Sequence, residues 1–449
     1  MTLKDFRKGI LLIEKILILT FAVFAYMYMI FTYYPEALFY SRGNYVLALL
    51  YAFLLFVFCV TYGCFRVGVI RLKELVFSFF LTVFLSNTIS YFIISLMESK
   101  LIILLPFLLL LSVQAAVGAL LYFFANRTYF WLYPARDTVV ICADTVRDKF
   151  IVEKFKQLSE RYVIRSVLYE DKGADVLKAG IDTYDTVILG NIDNTLKSEL
   201  TDYGFQKRKR LFIVPTVQDI ILNCAEKVQI DDSLVFLCKN RAFSMEQLIL
   251  KRLVDILISM TTLVILSPVM LLVAISIKLQ DGGSVFYKQQ RITKNGKTFM
   301  LLKFRSMIEN AEGESGVVQA KIGDKRITRV GKIIRAMRID ELPQLFNILR
   351  GEMSIVGPRP ERVETFEEYC KVFPQFRYRI MVKAGLTGYA QIYGKYKTSL
   401  EEKLKMDLLY IERRSILMDL MLMFATIKVL FIRESSQGVE ENYSNMMMD

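Results

Sequence analysis

Ile256-Leu257-Ile258-Ser259-Met260-Thr261-Thr262-Leu263-Val264-Ile265-Leu266-Ser267-Pro268-Val269-Met270-Leu271-Leu272-Val273-Ala274-Ile275-Ser276-Ile277 is an uncharged apolar run long enough to cross a bilayer. Where its two ends lie decides the fold, because a straight crossing would put everything downstream on the opposite face of the membrane. Lys251 and Arg252 stand before the run, and Lys278, Lys288 and Arg291 follow it. Positive charge on both flanks marks the same, cytoplasmic side twice, which one crossing cannot satisfy. Ser267-Pro268 lies near the middle. Proline removes one helical hydrogen bond and crowds the preceding turn, and a serine hydroxyl can satisfy the carbonyl so released. The segment is therefore read as a re-entrant hairpin broken at Ser267-Pro268, which enters and returns on one face. The alternative is a fifth span kinked at Pro268.

The rest of the chain has the composition of a membrane protein. Of 449 residues, 54% are hydrophobic and 13% aromatic, too apolar for the soluble class. Four earlier runs have spanning length: Ile16–Tyr34, Tyr45–Phe65, Leu75–Met97 and Leu101–Phe124. No small-residue cleavage site follows Lys4, Arg7 and Lys8, so the first run is expected to be an uncleaved anchor. Basic residues cluster before the first span, in the second loop (Arg66, Arg71, Lys73) and after the fourth (Arg127, Arg136), against only Arg42 and Lys100 in the other loops. Both ends of this four-helix transmembrane bundle are thus expected on the cytoplasmic side. The spans hold no acid or base near mid-membrane, the usual mark of a transport path. They are read as an anchor and a possible homodimer surface.

From Arg136 to about Asn240, short apolar runs alternate with polar, helix-like stretches. Thr138–Cys142, Val163–Leu168, Thr186–Leu189, Leu211–Val214 and Leu234–Leu237 read as buried strands with crossover helices between them. That is a doubly wound, Rossmann-like α/β domain over residues 136–245. Its first strand-to-helix turn, Cys142-Ala143-Asp144-Thr145-Val146-Arg147, has no glycine. A dinucleotide site needs glycine there so that backbone amides can approach a pyrophosphate, and Asp144 would repel the phosphate. A structural or regulatory role is expected, and an oxidoreductase acting on nucleotide-sugars through this domain is disfavoured.

Histidine is absent from the sequence and the six cysteines form no CxxC pair. General acid–base work by imidazole, a zinc centre and a disulfide framework are all excluded or unsupported. The net charge of +13 suits nucleic acid, anionic lipid or phosphorylated substrates, and membrane spans favour the last two, with no nucleic acid.

The chemistry is concentrated in Arg338-Ile339-Asp340-Glu341-Leu342-Pro343-Gln344-Leu345. Two adjacent carboxylates precede a proline and are expected to open a short helix, Leu342 to Leu349, at whose N-terminus negative charge is favoured. Alone, such a pair is ordinary helix-start chemistry. It is set apart by the cations around it, Lys303, Arg305, Arg335, Arg338 and Arg359 among them. Guanidinium forks match the oxygens of a diphosphate. Gly357-Pro358-Arg359-Pro360 fixes φ on both sides of Arg359 and presents its side chain at low entropic cost.

Arg326-Ile-Thr-Arg329-Val-Gly331, Asp340-Glu341-Leu-Pro343-Gln344-Leu-Phe-Asn347 and Gly357-Pro358-Arg359-Pro360 together resemble the catalytic domain of the bacterial monotopic phosphoglycosyl transferases, the polyprenyl-phosphate glycosyl-phosphotransferases. The likeness runs from about Lys251 to Phe431, and the large, four-span form of that family fits residues 1–250. Ala384 stands where relatives usually have proline. The resemblance implies a re-entrant membrane hairpin, a nucleotide-sugar site at Pro358 and Arg359, and supporting roles for Asp407 and Asp419. It also implies residence in the bacterial inner membrane, with the catalytic domain cytoplasmic.

It further implies a two-step transfer. Asp340 attacks the sugar-bearing phosphate of a nucleotide-sugar, usually a UDP-sugar, and the phosphosugar then passes to polyprenyl phosphate, the first membrane step of exopolysaccharide, capsule or O-antigen synthesis. Mg²⁺, which prefers oxygen ligands, is expected on Asp340 and Glu341, with Glu341 binding metal or positioning the acceptor. The expected domains are 1–135, four spans; 136–245, Rossmann-like; 246–433, mainly helical and catalytic; and 434–449, a disordered tail. The contrary reading is a non-catalytic membrane scaffold or regulator of polysaccharide assembly, its basic domain bound to anionic lipid.

Overall fold

Four long helices open the chain: α1 (Leu3–Tyr33), α2 (Gly43–Tyr62), α3 (Leu72–Met97) and α4 (Leu105–Leu132). Each is long and apolar enough to cross a membrane. Their few polar side chains face one another. The Tyr51 hydroxyl donates to Asn87 Oδ1 at 2.7 Å, Asn87 Nδ2 donates to Gln114 Oε1 at 2.9 Å, and Gln114 Nε2 donates to both the Tyr51 hydroxyl and the Ala22 carbonyl, each at 2.9 Å. Tyr51, Asn87 and Gln114 are all buried. In hydrocarbon such groups must find partners within the protein, and this network draws on all four helices.

In this computed structural model the described residues are 3–35, 43–143, 146–239, 243–308, 324, 326–395 and 398–430. Asp144, Thr145 and the tail 434–449 lie outside them. The chain separates into two compact units, Met1–Val214 and Pro215–Asp449. The first continues with β1 (Arg136–Cys142), α5 (Val146–Lys156), β2 (Tyr162–Tyr169), α6 (Ala174–Thr183), β3 (Thr186–Leu189), α7 (Asn194–Gln206) and β4 (Arg210–Ile213). These strands form a parallel sheet in the order β2-β1-β3-β4. Alternate residues go to opposite faces: Val139, Ile141, Val187 and Leu189 join Leu177 and Leu200, while Val140, Cys142 and Ile188 meet Ile151 and Phe155. Beyond β1 and β3, the Asp148 carboxylate accepts from the Asn191 backbone at 3.0 Å.

The fifth expected strand is not in that sheet. After α8 (Val217–Cys224), β5 (Glu226–Ile230) and β6 (Ser233–Leu237) pair, among the described residues, only with each other, antiparallel. Leu234, Val235, Phe236 and Leu237 are exposed rather than buried. A short apolar run reads the same whether it is a core strand or a bare hairpin. The second unit also claims α8, whose Val217 and Ile220 join the core around Leu404 and Leu408.

The decisive apolar run lies in one helix, α9 (Met245–Asp281), started by a capping box of Ser244 and Gln247. The expected break at Ser267-Pro268 does not interrupt it. Pro268 cannot donate to the carbonyl four residues back, and the Ser267 hydroxyl donates to that same Val264 carbonyl at 2.8 Å, which lets the helix continue through the proline. No residue from 260 to 276 is buried. At one end, however, Arg252 donates to the Ile348 and Leu349 carbonyls, and at the other Ile277 packs against Phe304 and Ile334. Both ends are therefore seated on the same domain.

That domain continues with β7 (Phe286–Ile292), β8 (Thr298–Phe304), α10 (Arg329–Ala336), α11 (Gln344–Arg350), β9 (Ser354–Val356), α12 (Val363–Val372), β10 (Gly385–Thr387), α13 (Tyr389–Tyr393), α14 (Leu400–Arg413) and α15 (Ile416–Leu430). β7 and β8 form an antiparallel pair and β9 and β10 a parallel one. The core gathers Leu345, Ile348, Met353, Phe376, Leu408 and Ile411. If α9 returns to the face it leaves, cysteines placed at Glu246 and Leu279, both exposed, in a Cys238→Ser background will react with an impermeant maleimide from one side of sealed vesicles. Reaction from opposite sides would show a crossing.

Candidate active site

Three segments bring their charged ends together. β8 delivers Lys303, the turn after α10 delivers Asp340 and Glu341, and the turn after β9 delivers Arg359. The acids do not open α11, as the sequence suggested. They occupy a separate 3₁₀ turn, Ile339–Glu341, ahead of it. Arg338 causes the separation by entering the left-handed region at φ 54°, a conformation that ends α10 and that a non-glycine residue adopts at a cost.

Glu341 is the centre of the cluster. Its Oε1 lies 2.7 Å from Arg359 Nη2 and 3.0 Å from Lys303 Nζ, and its Oε2 lies 3.9 Å from Arg338 Nη1. Burial pushes its pKa up, but Arg359, Lys303 and Arg338 outweigh that and hold the carboxylate well below the usual range. Glu341 is thus an anion at any working pH. Its presence in turn raises the Arg359 pKa, while burial lowers that of Lys303.

Asp340, one residue earlier, is in the opposite state. It makes no hydrogen bond or ion pair among the described residues. Burial first, and then the neighbouring Glu341 charge, push it up to about 6 against the opposing pull of Lys303, Arg335 and Arg359. Two adjacent carboxylates with divergent pKa values have divergent roles. Glu341 is a fixed counter-ion, and Asp340 is a desolvated carboxylate with open lone pairs that is still mostly ionised near pH 7.

The remaining residues picked from sequence fall into two groups. Arg335 and Arg338 join the cluster, and Pro358 supports the Arg359 turn beside a cleft lined by Ile292, Thr293, Glu361 and Arg379. Arg305, Asp407 and Asp419 do not touch Asp340 or Glu341. Arg305 is buried and paired with Asp281 at the end of α9. Asp407 is buried against Arg379 Nε at 2.7 Å, and Arg379 also reaches Glu361 at 3.2 Å and the Arg359 carbonyl at 3.2 Å. Asp419 accepts from Lys251 at 2.6 Å and stands 2.9 Å from the Tyr410 hydroxyl. These two acids support the Arg359 turn from behind.

Sequence reasoning missed Arg379 and Glu361, and it read Lys251 only as a charge flanking the apolar run. Arg379 lies on the irregular stretch Pro374–Met381 with no periodicity to mark it as buried. The backbone of the turn is locked by close approach: a Cβ on Gly385 would lie 2.1 Å from the Gly357 nitrogen, and one on Gly388 would lie 2.2 Å from the Gly357 oxygen.

The raised Asp340 pKa carries a stability cost. A carboxyl whose folded pKa exceeds its unfolded one stabilises the fold while protonated, and that contribution is lost as pH rises through about 6. The loss is on the order of 3 kcal/mol. Asp340→Asn is expected to melt at higher temperature than the parent above pH 7, with the advantage fading below about pH 5. A pH-independent difference in a thermal melt series would contradict the shift.

A family description, Bacterial sugar transferase, matches residues 246–433. The UDP-N-acetylgalactosamine-undecaprenyl-phosphate N-acetylgalactosaminephosphotransferase of Aeromonas hydrophila is 40% identical over 184 residues, 40% of this chain and 43% of that protein. The UDP-glucose:undecaprenyl-phosphate glucose-1-phosphate transferase of Klebsiella pneumoniae is 41% identical over 194 residues, 42% of each chain. The exopolysaccharide production protein ExoY of Sinorhizobium fredii is 39% identical over 200 residues, 41% of this chain and 87% of that one. The matched part of the chain spans less than half the length of the first two relatives.

Proposed function

The chain belongs to the bacterial sugar transferase family, and from that premise we propose that it transfers a sugar 1-phosphate from a nucleotide diphosphate-sugar, usually a UDP-sugar, to polyprenyl (undecaprenyl) phosphate. The names of its relatives support the two substrate classes. The observation that carries the reading is the contrast within Asp340-Glu341. One carboxylate is neutralised by three cations, while its neighbour is desolvated and without a hydrogen bond among the described residues.

In the proposed reaction an Asp340 carboxylate oxygen attacks the phosphorus that bears the sugar. The P–O bond to the second phosphate breaks, and a nucleoside monophosphate leaves with the bonding electrons. The enzyme then carries the phosphosugar as an acyl phosphate. An oxygen of polyprenyl phosphate attacks the same phosphorus, the Asp340 O–P bond breaks, and the carboxylate is restored as polyprenyl diphosphate-sugar departs. Covalent catalysis of this kind splits one hard displacement into two easier ones. In this reading Lys303, Arg335 and Arg359 neutralise the charge that builds on the transferring group, as fixed cations do.

The donor set also fits Mg²⁺. Among the described residues no cluster of three or more histidine, cysteine, aspartate or glutamate side chains could hold a metal. Magnesium, however, commonly takes one or two carboxylates, keeps several waters and binds substrate phosphates. Asp340, whose oxygens are open among the described residues, would hold it together with the diphosphate oxygens, while Glu341 stays committed to Lys303, Arg338 and Arg359, and the ion would supply further charge neutralisation to the leaving phosphate.

We read the exposed middle of α9 as dipping into the cytoplasmic leaflet of the inner membrane, so that the acids meet a dissolved donor and a lipid-borne acceptor at one boundary. The four spans then serve as an anchoring bundle, and the parallel-sheet segment is a Rossmann-like element with a structural or regulatory role.

Asp340→Asn is expected to abolish both nucleoside monophosphate release and formation of an adduct from a donor labelled in the sugar-linked phosphate. Normal turnover by that variant would remove Asp340 as nucleophile. Arg359→Ala is expected to raise the donor KM about 10- to 100-fold, the worth of a charge-assisted hydrogen bond. Because the attacking form is the ionised one, the rate of adduct formation should fall as pH drops through about 6. A flat rate from pH 5 to 8 would contradict that assignment.

A further inference from the structure

The base of α9 grips both halves of the site at once. Arg252 donates to the carbonyls of Ile348 at 2.6 Å and Leu349 at 2.7 Å. These are among the last carbonyls of α11, which a helix leaves without internal partners, and α11 begins directly after the turn that bears Asp340 and Glu341. One turn further along α9, Asp255 is 5% exposed. Its Oδ2 accepts from the Ser354 hydroxyl at 2.8 Å and its Oδ1 from the Ile355 backbone at 3.1 Å. Those are the first residues of β9, the strand that runs straight into Gly357-Pro358-Arg359. The same side of the helix adds Lys251, which donates to the Val356 carbonyl at 3.3 Å.

A buried carboxylate is costly unless it is hydrogen-bonded, and both hydrogen bonds that Asp255 accepts among the described residues, one to each oxygen, come from β9, which fixes its register against the strand. We propose that Asp255 and Arg252 are positioning residues for the transfer. They hold the Arg359 strand and the acid-bearing turn at a fixed separation, so that the membrane helix α9 sets the Glu341–Arg359 contact on which donor binding depends. This rests on the proposed function above. Neither residue touches Asp340, Glu341 or Arg359; they act through β9 and α11. The grip also means that a change in the seating of α9 in the bilayer is passed to both sides of the donor site together.

The test uses the full-length protein in lipid nanodiscs and compares Asp255→Ala, Asp255→Asn and Arg252→Gln with the parent. Asn keeps an oxygen for the Ile355 N–H and can donate its amide to the Ser354 hydroxyl. For Asp255→Ala we expect the donor KM to rise about tenfold or more with the polyprenyl phosphate KM within about twofold, and for Asp255→Asn a return to within about threefold of the parent. Loss of Arg252 should act on the other wall of the site and lower kcat more than it raises either KM. An unchanged donor KM in Asp255→Ala would overturn the proposal. So would a fall in rate that merely tracks the fraction of folded protein, read from thermal melts. If the parent itself releases no nucleoside monophosphate, it is the functional reading that fails. Positioning is then read from UDP binding, where equal affinities of parent and Asp255→Ala would overturn it.

Discussion

One carboxylate shared among three cations sets the geometry of the second unit. Lys303, Arg338 and Arg359 come from a strand, a left-handed residue and a rigid turn, and they have no reason to meet except around Glu341. Without that anion, three positive groups would face one another at low dielectric and repel. With it, the surplus of positive charge is retained at short range, and the adjacent Asp340 is left as a partly desolvated acid. The two residues are neighbours in the chain, yet one is locked and the other available. The difference comes from the 3₁₀ turn, which aims their side chains at different surroundings.

Around this cluster the protein invests in buried polar contacts rather than in a deep apolar pocket. Asp407 with Arg379, and Asp419 with Lys251 and Tyr410, are networks whose groups would be expensive if any member were left unpaired. Their common target is main-chain carbonyl oxygen on either side of the Arg359 turn: Val356 from Lys251, and Arg359 itself from Arg379. Interleaved glycines at 357, 385 and 388 allow the backbones to lie so close that no side chain could be tolerated. A short turn is thereby given the rigidity of a core element.

Much of this was legible in the sequence, and the limits have physical causes. The spans, the first four strands of the middle region and the acid pair with its cations are written in local patterns of hydropathy and charge density, which a linear reading detects. The role of Ser267 was legible too, since a hydroxyl beside a proline has one obvious carbonyl to satisfy. Arg379 and Asp407 were not paired in advance because their partnership spans 28 residues and follows from folding. Arg305 looked like one more phosphate-binding cation until Asp281, 24 residues earlier, claimed it. Leu234–Leu237 went wrong because burial, not composition, separates a core strand from a bare hairpin.

The ring of Tyr51, Asn87, Gln114 and the Ala22 carbonyl has a bearing on biogenesis. Its members are synthesised in chain order, and Gln114, which supplies the last donors, arrives with the fourth helix. Until then Asn87 and Tyr51 have only each other in a medium that offers no water. A chain that stops before the fourth helix therefore leaves these polar groups without their final partners, and the arrival of α4 is the event that joins all four helices in one hydrogen-bonded ring.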